Sequence, residues 1–515
     1  MTSTVISAGA VSPAAPGLTG ASRAIGTFAL SLATFMAVLD ISIANVAIPA
    51  IAGDLGVSPN QGIWIITSFG VATAISLPLT GWLVQRLGTV RLFAASVLLF
   101  STASLLCGLA PSIESLVFFR VLQGAVAGPM IPLCQALLLR SYPPERLGQA
   151  LTVLAVTTLT APIAGPLLGG WLTDNWSWRW VFYVNVPVGF ICGAVVWQVF
   201  RPLETATRMV RVDAIGLGLL IIWVGSLQLM LDLGKDWDWF GSTAIVWLAI
   251  IAVVFFALFI VWELTEANPI VDLSLFRLRN FCIGTVALAL GYALFLGNLV
   301  LLPLWLQQDM GYTATLAGVV LAPVGVLGIL AAPFVGWYVG RHDPRWIASG
   351  AFVVFALSLW MRSRFTTESD LHALMLPSLI QGAGNAMFFV SLLAIILSRL
   401  PSDRIAAAAG VSNFLRYTAG AFGTSLITTA WDWRASVHRS QLVEAVHDGA
   451  EPLKHARALL GTTGMGPQQQ LAIIDRLVEQ QANTLAVTEL FYLSALLFTA
   501  LLGLLWWVKW DGSRE

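Results

Sequence analysis

One acidic side chain, Asp40, lies in the middle of an apolar run that is long enough to cross a lipid bilayer. The run covers residues 30–49 and reads LSLATFMAVLDISIANVAIP. A carboxylate at membrane depth costs at least about 2.5–3.5 kcal/mol, so a chain keeps one where its charge or its proton is used. Asp40 is therefore predicted to be the proton-binding centre of a transporter.

A basic side chain, Arg120, is predicted to lie at the same depth. Asp40 comes about eight residues before the outer end of its span, and so about 12 Å below the outer surface. Arg120 comes about seven residues into a span that runs inward, and so about 10 Å down. Opposite charges at matching depth are expected to pair. A bound cationic drug would then switch Asp40 between holding and releasing a proton; the alternative is a static ion pair that only positions helices.

Further polar residues within the spans are predicted to line the same cavity. Gln123 lies one helical turn from Arg120 on the same face, and Asn45 lies five residues beyond Asp40. The deepest polar groups of the second half of the chain are also candidates: Asn385, Asn413 and Arg416. Arg416 has no obvious acid within its own half, so attraction of an anion and a gating hydrogen bond to the backbone both stay open.

The composition is that of a polytopic membrane protein. Of 515 residues, 57% are hydrophobic and 10% are charged, whereas a soluble domain carries about 25% charged residues. The formal net charge of zero argues against a nucleic-acid partner. The four cysteines lie in apolar runs without metal-binding spacing, so neither a metal nor a disulfide is predicted. The sequence has no GxxxxGK[ST] motif, which argues against ATP-driven export; no cofactor and no enzymatic activity are predicted.

Fourteen apolar stretches are long enough for the bilayer core, which needs about 20 residues of helix. They are 25–48, 62–84, 90–110, 113–138, 150–172, 179–200, 212–232, 243–262, 281–306, 314–338, 345–361, 371–398, 406–430 and 488–508. The fold class is therefore predicted to be an all-α polytopic membrane protein with 14 transmembrane helices.

The positions of lysine and arginine predict the orientation. With the N-terminus in the cytoplasm, the tails and cytoplasmic loops hold 16 of the 27 basic residues. The long outer loop holds five, two (Arg120 and Arg416) lie inside spans, and the short outer loops hold four: Arg179, Lys235, Arg362 and Arg364. By the positive-inside rule both termini are predicted to be cytoplasmic, with a disordered tail over residues 1–24 and a short tail over 509–515.

Three short sequences recur in the same order. The pairs are GWLVQR 81–86 with GWYVGR 336–341, LQGA 122–125 with IQGA 380–383, and PPER 143–146 with PSDR 401–404, at offsets of 255, 258 and 258. The repeats predict two homologous six-helix bundles, 25–200 and 281–508, with the helix pair 212–262 inserted between them. Repeated halves with the substrate path at their interface are typical of transporters, and neither a receptor nor a membrane-embedded enzyme needs them.

Two glycine-rich stretches are predicted to control movement of the halves. APIAGPLLGGW, at 161–171, supplies a small-residue face for close helix packing and prolines that permit a kink: Pro162, Gly165, Pro166, Gly169 and Gly170. GWLVQRLGTVR, at 81–91, and its echo at 336–345 are predicted to form an inter-half latch of the inward gate: Gly81, Arg86, Gly88, Arg91, Gly336 and Arg341. The alternative for the first stretch is tight helix packing alone. The alternative for the second is that its arginines only satisfy the positive-inside rule.

The loop 431–487 is the one sizeable segment predicted outside the membrane on the extracytoplasmic side. Within it, Pro467 precedes QQQLAIIDRLVEQQ, a pattern that predicts a helix starting at the proline. Two roles stay open for this loop: a cap over the pore mouth, or a docking element for an extracytoplasmic partner protein.

These motifs resemble those of the major facilitator superfamily, in its fourteen-span drug:proton antiporter branch of the EmrB type. LDISIANVAIP resembles the first-span motif of that branch, RVLQGAVAG at 120–128 the fourth-span motif whose arginine is implicated in proton transfer, and APIAGPLLGG the antiporter motif of the fifth span. The loop motif departs from the family pattern: its usual acid is Gln85, and Thr89 and Val90 replace its basic pair, which weakens the charge latch of the family.

The resemblance implies proton-driven export of small hydrophobic drugs across a bacterial inner membrane. It also implies a periplasmic adaptor of the EmrA kind and an outer-membrane channel of the TolC kind. Three alternatives are a proton-coupled nutrient symporter, a lipid or amphiphile flippase, and a receptor or scaffold on a transporter fold. The antiporter motif argues against the first and the two deep charges against the last, whereas hydrophobic drugs and lipids require similar cavities.

Overall fold

A computed structural model shows a bundle of long α-helices. It describes Leu18 and residues 20–509, except 58–61, 63, 144–145, 210–212, 235, 268, 340, 399, 402–403 and, within 446–464, all but 453, 454, 456, 458 and 460. The predicted N-terminal tail 1–24 and C-terminal tail 509–515 lie largely outside these residues. A chain that crosses lipid must bond its own backbone groups internally, and an α-helix does this within one segment.

The α-helices of the first half are α1 (Gly20–Asp54), α2 (Trp64–Ser76), α3 (Thr80–Leu87), α4 (Thr89–Leu109), α5 (Ile113–Ala127), α6 (Met130–Ser141), α7 (Leu147–Asn175), α8 (Trp180–Tyr183) and α9 (Asn185–Phe200). The inserted pair is α10 (Ala214–Leu233) and α11 (Thr243–Thr265). The second half contains α12 (Arg279–Gln308), α13 (Ala314–Leu321), α14 (Pro323–Val339), α15 (Pro344–Arg362), α16 (Leu371–Ile396), α17 (Ile405–Ala445) and α18 (Pro467–Leu505).

Each of the fourteen predicted spans falls on helix in the structure. Eleven helices of the described chain are long and apolar enough to cross a membrane, or twelve if α2 and α3, bent by 63° against each other, count as one. The fifth and thirteenth predicted spans are not among these candidates. Their helices α7 and α17 have 29 and 41 residues, which is more than the length that a bilayer core requires. In α17, Asn413 and Arg416 interrupt the apolar run.

The repeat found in the sequence recurs as a packing contact. A Cβ atom on Gly124 would lie 2.4 Å from the Phe69 carbonyl oxygen, and one on Gly382 would lie 2.3 Å from that of Val324. Gly124 and Gly382 are 258 residues apart. The two glycines therefore allow the same close helix approach, α2 with α5 and α14 with α16, in both halves.

The N-caps of α5 and α16 show the same offset between the two halves. Ser112 caps α5 by accepting a hydrogen bond from the Ser115 N–H (3.4 Å), and Asp370 caps α16 by accepting one from the Ala373 N–H (2.9 Å). These two caps are also 258 residues apart. An N-cap oxygen bonds an otherwise unpaired backbone N–H of the first turn, so both helices begin at equivalent positions.

The last two helices continue well past the membrane. At 1.5 Å per residue, α17 and α18 are each about 60 Å long, twice the thickness of the bilayer core. Helix α18 begins at Pro467, which confirms the helix start predicted within the loop 431–487. The extensions are joined by ion pairs from Arg434 to Glu489 (2.7 Å) and from Arg439 to Asp475 (2.7 Å). Most of this predicted loop is therefore an antiparallel pair of helices.

Candidate functional site

Asp40 and Arg120 form a fully buried ion pair. Arg120 Nη1 donates to Asp40 Oδ2, joining α1 to α5. Both side chains are 0% exposed. Arg120 Nε also donates to the backbone carbonyl of Ile65 on α2 (3.0 Å). The pairing predicted from matching depths is thus present in the structure, and it links three spans of the first half.

Three buried neutral side chains complete the cluster around Asp40. Gln123 accepts from Arg120 Nη1 (2.8 Å) and donates to Asp40 Oδ1 (3.2 Å). Asn185, at the start of α9, donates to the same carboxylate oxygen (2.8 Å). Ser104 Oγ on α4 accepts from both amides, at 3.2 Å from Gln123 and 3.1 Å from Asn185. Both oxygens of the Asp40 carboxylate therefore accept hydrogen bonds, from side chains of α5 and α9.

One aromatic ring contacts both this cluster and a cavity between the two halves. The Arg120 guanidinium lies 4.2 Å from the centre of the Phe69 ring. Phe69 also lines the cavity, with Ile41 of α1 and Tyr417 of α17. The remaining lining residues are Ala37, Val38, Thr73, Leu77, Ala127, Gly128 and Ile131. The cavity is therefore small, about 20 Å³, and almost wholly apolar, and Phe69 contacts both the cavity and the buried arginine.

Arg416 lies next to Tyr417, which lines this cavity. Its guanidinium lies over the rings of Tyr417 (4.8 Å), Tyr292 (5.1 Å) and Phe389 (5.6 Å). The side chain is 5% exposed, and its Nε is a buried donor without a partner in the described chain. Cation–π contacts of this kind stabilise a guanidinium without neutralising it. Arg416 therefore presents a positive charge beside the cavity.

The other predicted cavity residues lie in different surroundings. Asn413 donates to Gln135 Oε1 across the two halves (3.0 Å). Asn385 is buried, and its Oδ1 has no partner in the described part of the chain. Asn45 is exposed on α1 and is not part of the buried Asp40 cluster.

The glycines of the fifth span pack against the helix that carries Asp40. A Cβ atom on Gly165 would lie 2.5 Å from Ser42 Cβ, and one on Gly169 would lie 2.8 Å from the Ile43 carbonyl oxygen. Both contacts come within one turn of Asp40. Gly170 is half-buried, and α7 continues as one helix past Pro162 and Pro166. Any larger side chain at Gly165 or Gly169 would therefore push α1, and its carboxylate, out of place.

The two halves meet at the ends of the helices that are predicted to face the cytoplasm. A Cβ atom on Gly81 would lie 2.6 Å from Ala407 Cβ, and one on Gly410 would lie 2.7 Å from the Leu77 carbonyl oxygen. Thr152 Oγ1 donates to the Ala332 carbonyl (2.9 Å), which joins α7 to α14. This end of the interface is therefore closed in the structure.

The arginines of the predicted latch contact their own halves. Arg86 lies over Trp82 (5.6 Å) and Arg341 over Trp337 (4.7 Å), each on a neighbouring turn. Arg91 lies 4.0 Å from Glu204. Gly88 has a φ of 87°, a backbone conformation that glycine adopts without strain. Gly336 is buried in α14. Among the predicted latch residues, Gly81 makes the contact across the halves.

We expect Gly410→Leu to hold this end of the interface open. The added side chain would overlap the Leu77 carbonyl, and overpacking of about 1–3 kcal/mol would shift the equilibrium against closure by about 5- to 150-fold. A cysteine introduced at Gln135 would then react faster with a membrane-impermeant maleimide added from the cytoplasmic side. Gly225→Leu is the matched control, because a Cβ atom there meets nothing within 4 Å. Equal labelling rates in both variants would show that Gly410 does not control the gate.

Arg362 was predicted to lie in a short outer loop, and the structure contradicts this. It is the last residue of α15 and is 0% exposed, inside the second half. The predicted span ended one residue too early, because an arginine at the edge of an apolar run was assigned to the aqueous side. Ser104 and Asn185 were also missed, since a lone serine or asparagine near a span end carries no signal of its own.

Comparisons with known proteins agree with this architecture. The family model described as Major Facilitator Superfamily matches residues 30–424. The chain is 48% identical over 493 residues to the multidrug export protein EmrB of Escherichia coli (strain K12), covering 96% of each chain. It is 44% identical over 494 residues to the fatty acid resistance protein FarB of Neisseria gonorrhoeae, covering 96% of this chain and 97% of that one. The human organic anion transporter MFSD10 (TETRAN) has the same fold at 13% identity, with a TM-score of 0.59 over 93% of this chain and 100% of that one.

Proposed function

The chain belongs to the major facilitator superfamily, among its EmrB-type multidrug efflux transporters, and from this premise we propose that it exports hydrophobic drugs in exchange for protons. The observation that carries the proposal is the buried Asp40–Arg120 pair beside an apolar cavity at the interface of the halves. We place the protein in a bacterial inner membrane with both termini in the cytoplasm, as the distribution of basic residues predicts.

Drug and proton are coupled through Phe69 in this proposal. A drug that enters the cavity as it widens would contact Phe69, whose ring lies 4.2 Å from the Arg120 guanidinium. Movement of that ring moves Arg120 relative to Asp40, and with it the preference of the carboxylate for a proton. Protonation of Asp40 breaks the ion pair and favours release of the drug; loss of the proton restores both the pair and the drug site.

The energetics require only one titrating carboxylate. A proton moving inward releases about 2.3 kcal/mol per 100 mV of membrane potential. Export of a drug against a tenfold gradient costs about 1.4 kcal/mol. For a neutral drug, one proton per molecule is therefore sufficient to drive export. For a monovalent cation the exchange is electroneutral, and the pH gradient must drive it, at about 1.4 kcal/mol per pH unit.

Alternating access follows from contacts at one end of the interface. The close approach of Gly81 to Ala407, and of Gly410 to Leu77, supports a state that is closed toward the cytoplasm. Separation of these contacts would open the cavity to that side. The packing of Gly165 and Gly169 on α1 would keep Asp40 in place while the halves move.

We further propose that the paired extensions of α17 and α18 dock an adaptor of the EmrA kind, which in turn contacts an outer-membrane channel of the TolC kind. The extensions are long enough to leave the bilayer. The α18 extension exposes apolar side chains: Leu471 is 45% exposed and Leu477 is 51% exposed. Exposed apolar residues beyond the membrane are typical of contacts with another protein.

Leu477→Glu tests the docking role. We expect it to reduce recovery of a co-expressed adaptor with the transporter by about tenfold or more, because a buried charge in an interface costs more than 1.4 kcal/mol. Drug transport in proteoliposomes, which contain no adaptor, should be unchanged. Gln468→Glu adds the same charge at an exposed polar position of the same helix and serves as the control. Full adaptor recovery with Leu477→Glu would favour a cap over the pore mouth instead.

A second candidate substrate class is hydrophobic anions, including fatty acids. The positive charge of Arg416 beside the cavity supports it, and so does the 44% identity to a fatty acid resistance protein. A carboxylate in the cavity would find a cation there, whereas a cationic drug would be repelled by it.

Transport into proteoliposomes distinguishes export of hydrophobic drugs from export of hydrophobic anions. With an acidic lumen and a neutral exterior, the purified protein should accumulate the fluorescent cation ethidium, and nigericin should abolish the accumulation. Accumulation of a fluorescent fatty acid instead, lost in Arg416→Gln, would select the second candidate. No gradient-dependent accumulation of either probe would contradict both.

A further inference from the structure

The second half contains a buried arginine that matches the Asp40 cluster of the first half in position but not in charge. At the offset of 258 residues, Gln381 corresponds to Gln123, Arg362 to Ser104 and Ser378 to Arg120. The caps Ser112 and Asp370 fix this correspondence in the structure. Both halves therefore hold an arginine, a serine and a glutamine, with the arginine and the serine exchanged between two helices.

The contacts of Arg362 are all with neutral groups. Its Nη2 donates to Gln381 Oε1 (2.6 Å) and Ser378 Oγ (3.1 Å). Its Nε and Nη1 are buried donors without a partner in the described chain. The guanidinium lies 6.0 Å from the ring of Phe491. Two of its three nitrogens are therefore available to a ligand.

The two clusters differ in net charge. In the first half Asp40 balances Arg120. In the second half the five helices α12 to α16 contain neither aspartate nor glutamate. Helix α18, which corresponds to α9, contains Asp475, Glu479 and Glu489; Asp475 pairs with Arg439, and Glu489 pairs with Arg434. Arginine does not lose its proton in proteins, and an unpaired buried charge costs several kcal/mol. Among the described residues, the positive charge of Arg362 therefore has no acidic partner.

We propose that Arg362 binds a small inorganic anion, chloride, through its Nε and Nη1 groups. Phe365, one turn beyond Arg362, stacks on Trp305 (6.0 Å) and packs edge-on against Phe491 (6.5 Å). These rings exclude water around the site, which strengthens the attraction between the guanidinium and an anion. The bound chloride has the same role as Asp40 in the first half, because it neutralises the arginine and joins the helices around it.

Thermal unfolding of the purified full-length protein tests this site. Sodium chloride replaces sodium gluconate at constant ionic strength and constant sodium. The wild-type midpoint should rise by about 5 °C and saturate, as expected for a ligand bound only by the folded state. Arg362→Gln should remove the rise. Gln381→Glu supplies an internal carboxylate at the atom that already contacts Arg362, so it should raise the midpoint in gluconate and abolish the response to chloride.

Arg364→Gln is the control, because it removes an exposed arginine two residues from Arg362 and should leave the chloride response unchanged. A wild-type midpoint that is equal in chloride and gluconate would overturn the proposal. A chloride response that survives in Gln381→Glu would also overturn the proposal. This result can be obtained even if Arg362→Gln does not fold. Neither result depends on whether the protein transports drugs.

Discussion

Asp40→Asn is expected to abolish proton-driven drug accumulation while leaving drug binding largely intact. Asparagine has nearly the same shape and can still bond Asn185 and Gln123, but it cannot exchange a proton at physiological pH. Accumulation of ethidium in proteoliposomes with an acidic lumen should therefore fall to the level of protein-free liposomes. Binding should persist, because the cavity is lined by other residues of α1 and by Phe69.

The matched control for this prediction is Ser104→Ala. It removes a hydrogen-bond acceptor of the same buried cluster but keeps the Asp40 carboxylate, which can still exchange a proton. We expect this variant to retain coupling, with stability reduced by about 1–3 kcal/mol because two amide donors lose a partner. Normal ethidium accumulation by Asp40→Asn would show that coupling does not need the carboxylate and would favour Arg416 as the coupling residue.

Arg120→Met is expected to destabilise the protein by about 3–5 kcal/mol, since it leaves the buried Asp40 carboxylate without its cation. The double variant Asp40→Asn/Arg120→Met removes both charges and should recover much of that loss. Chemical denaturation of the purified protein measures the destabilisation caused by Asp40→Asn, by Arg120→Met and by the double variant, and the double value minus the sum of the two single values is the coupling energy of the pair. A double value equal to that sum would show that the two charges do not depend on each other.

An exposed ion pair provides the control for that cycle. Arg179 Nη1 contacts Asp54 Oδ2 at 2.8 Å, with side-chain exposures of 34% and 48%. Hydrogen bonds from the Trp178 indole and from Arg179 lower the pKa of Asp54 below its ordinary value. Water screens the charges of an exposed pair, so Arg179→Met should change stability little. The contrast between the two arginines isolates the effect of burial.

The sequence was sufficient to predict the spans and the central ion pair. Uniformly apolar stretches can only be helices in lipid, and Asp40 and Arg120 stand out because few charges occur at that depth. The helical spacing of Gln123 from Arg120 placed it in the cluster. The matching offsets of LQGA and IQGA predicted the repeat that Gly124 and Gly382 reproduce in their packing.

The rest of the site depends on contacts between distant segments. Asn185 reaches Asp40 across 145 residues of chain, and no local pattern marks it. Arg362 was assigned to water because a span edge is uncertain by a few residues, although the offset that relates the two halves places it opposite Ser104. The tryptophans that hold Arg86 and Arg341 likewise follow from side-chain packing and not from the loop motif.

The most direct test of Asp40 as the coupling site is to measure how many protons the protein releases when a drug binds. Purified protein in weakly buffered detergent solution, with a pH-sensitive dye, is mixed with ethidium at a series of starting pH values. If drug and proton compete through Asp40, the wild type should release up to about one proton per bound drug molecule, and Asp40→Asn should bind the drug and release none. Equal proton release from both proteins would contradict the assignment of Asp40 as the coupling site.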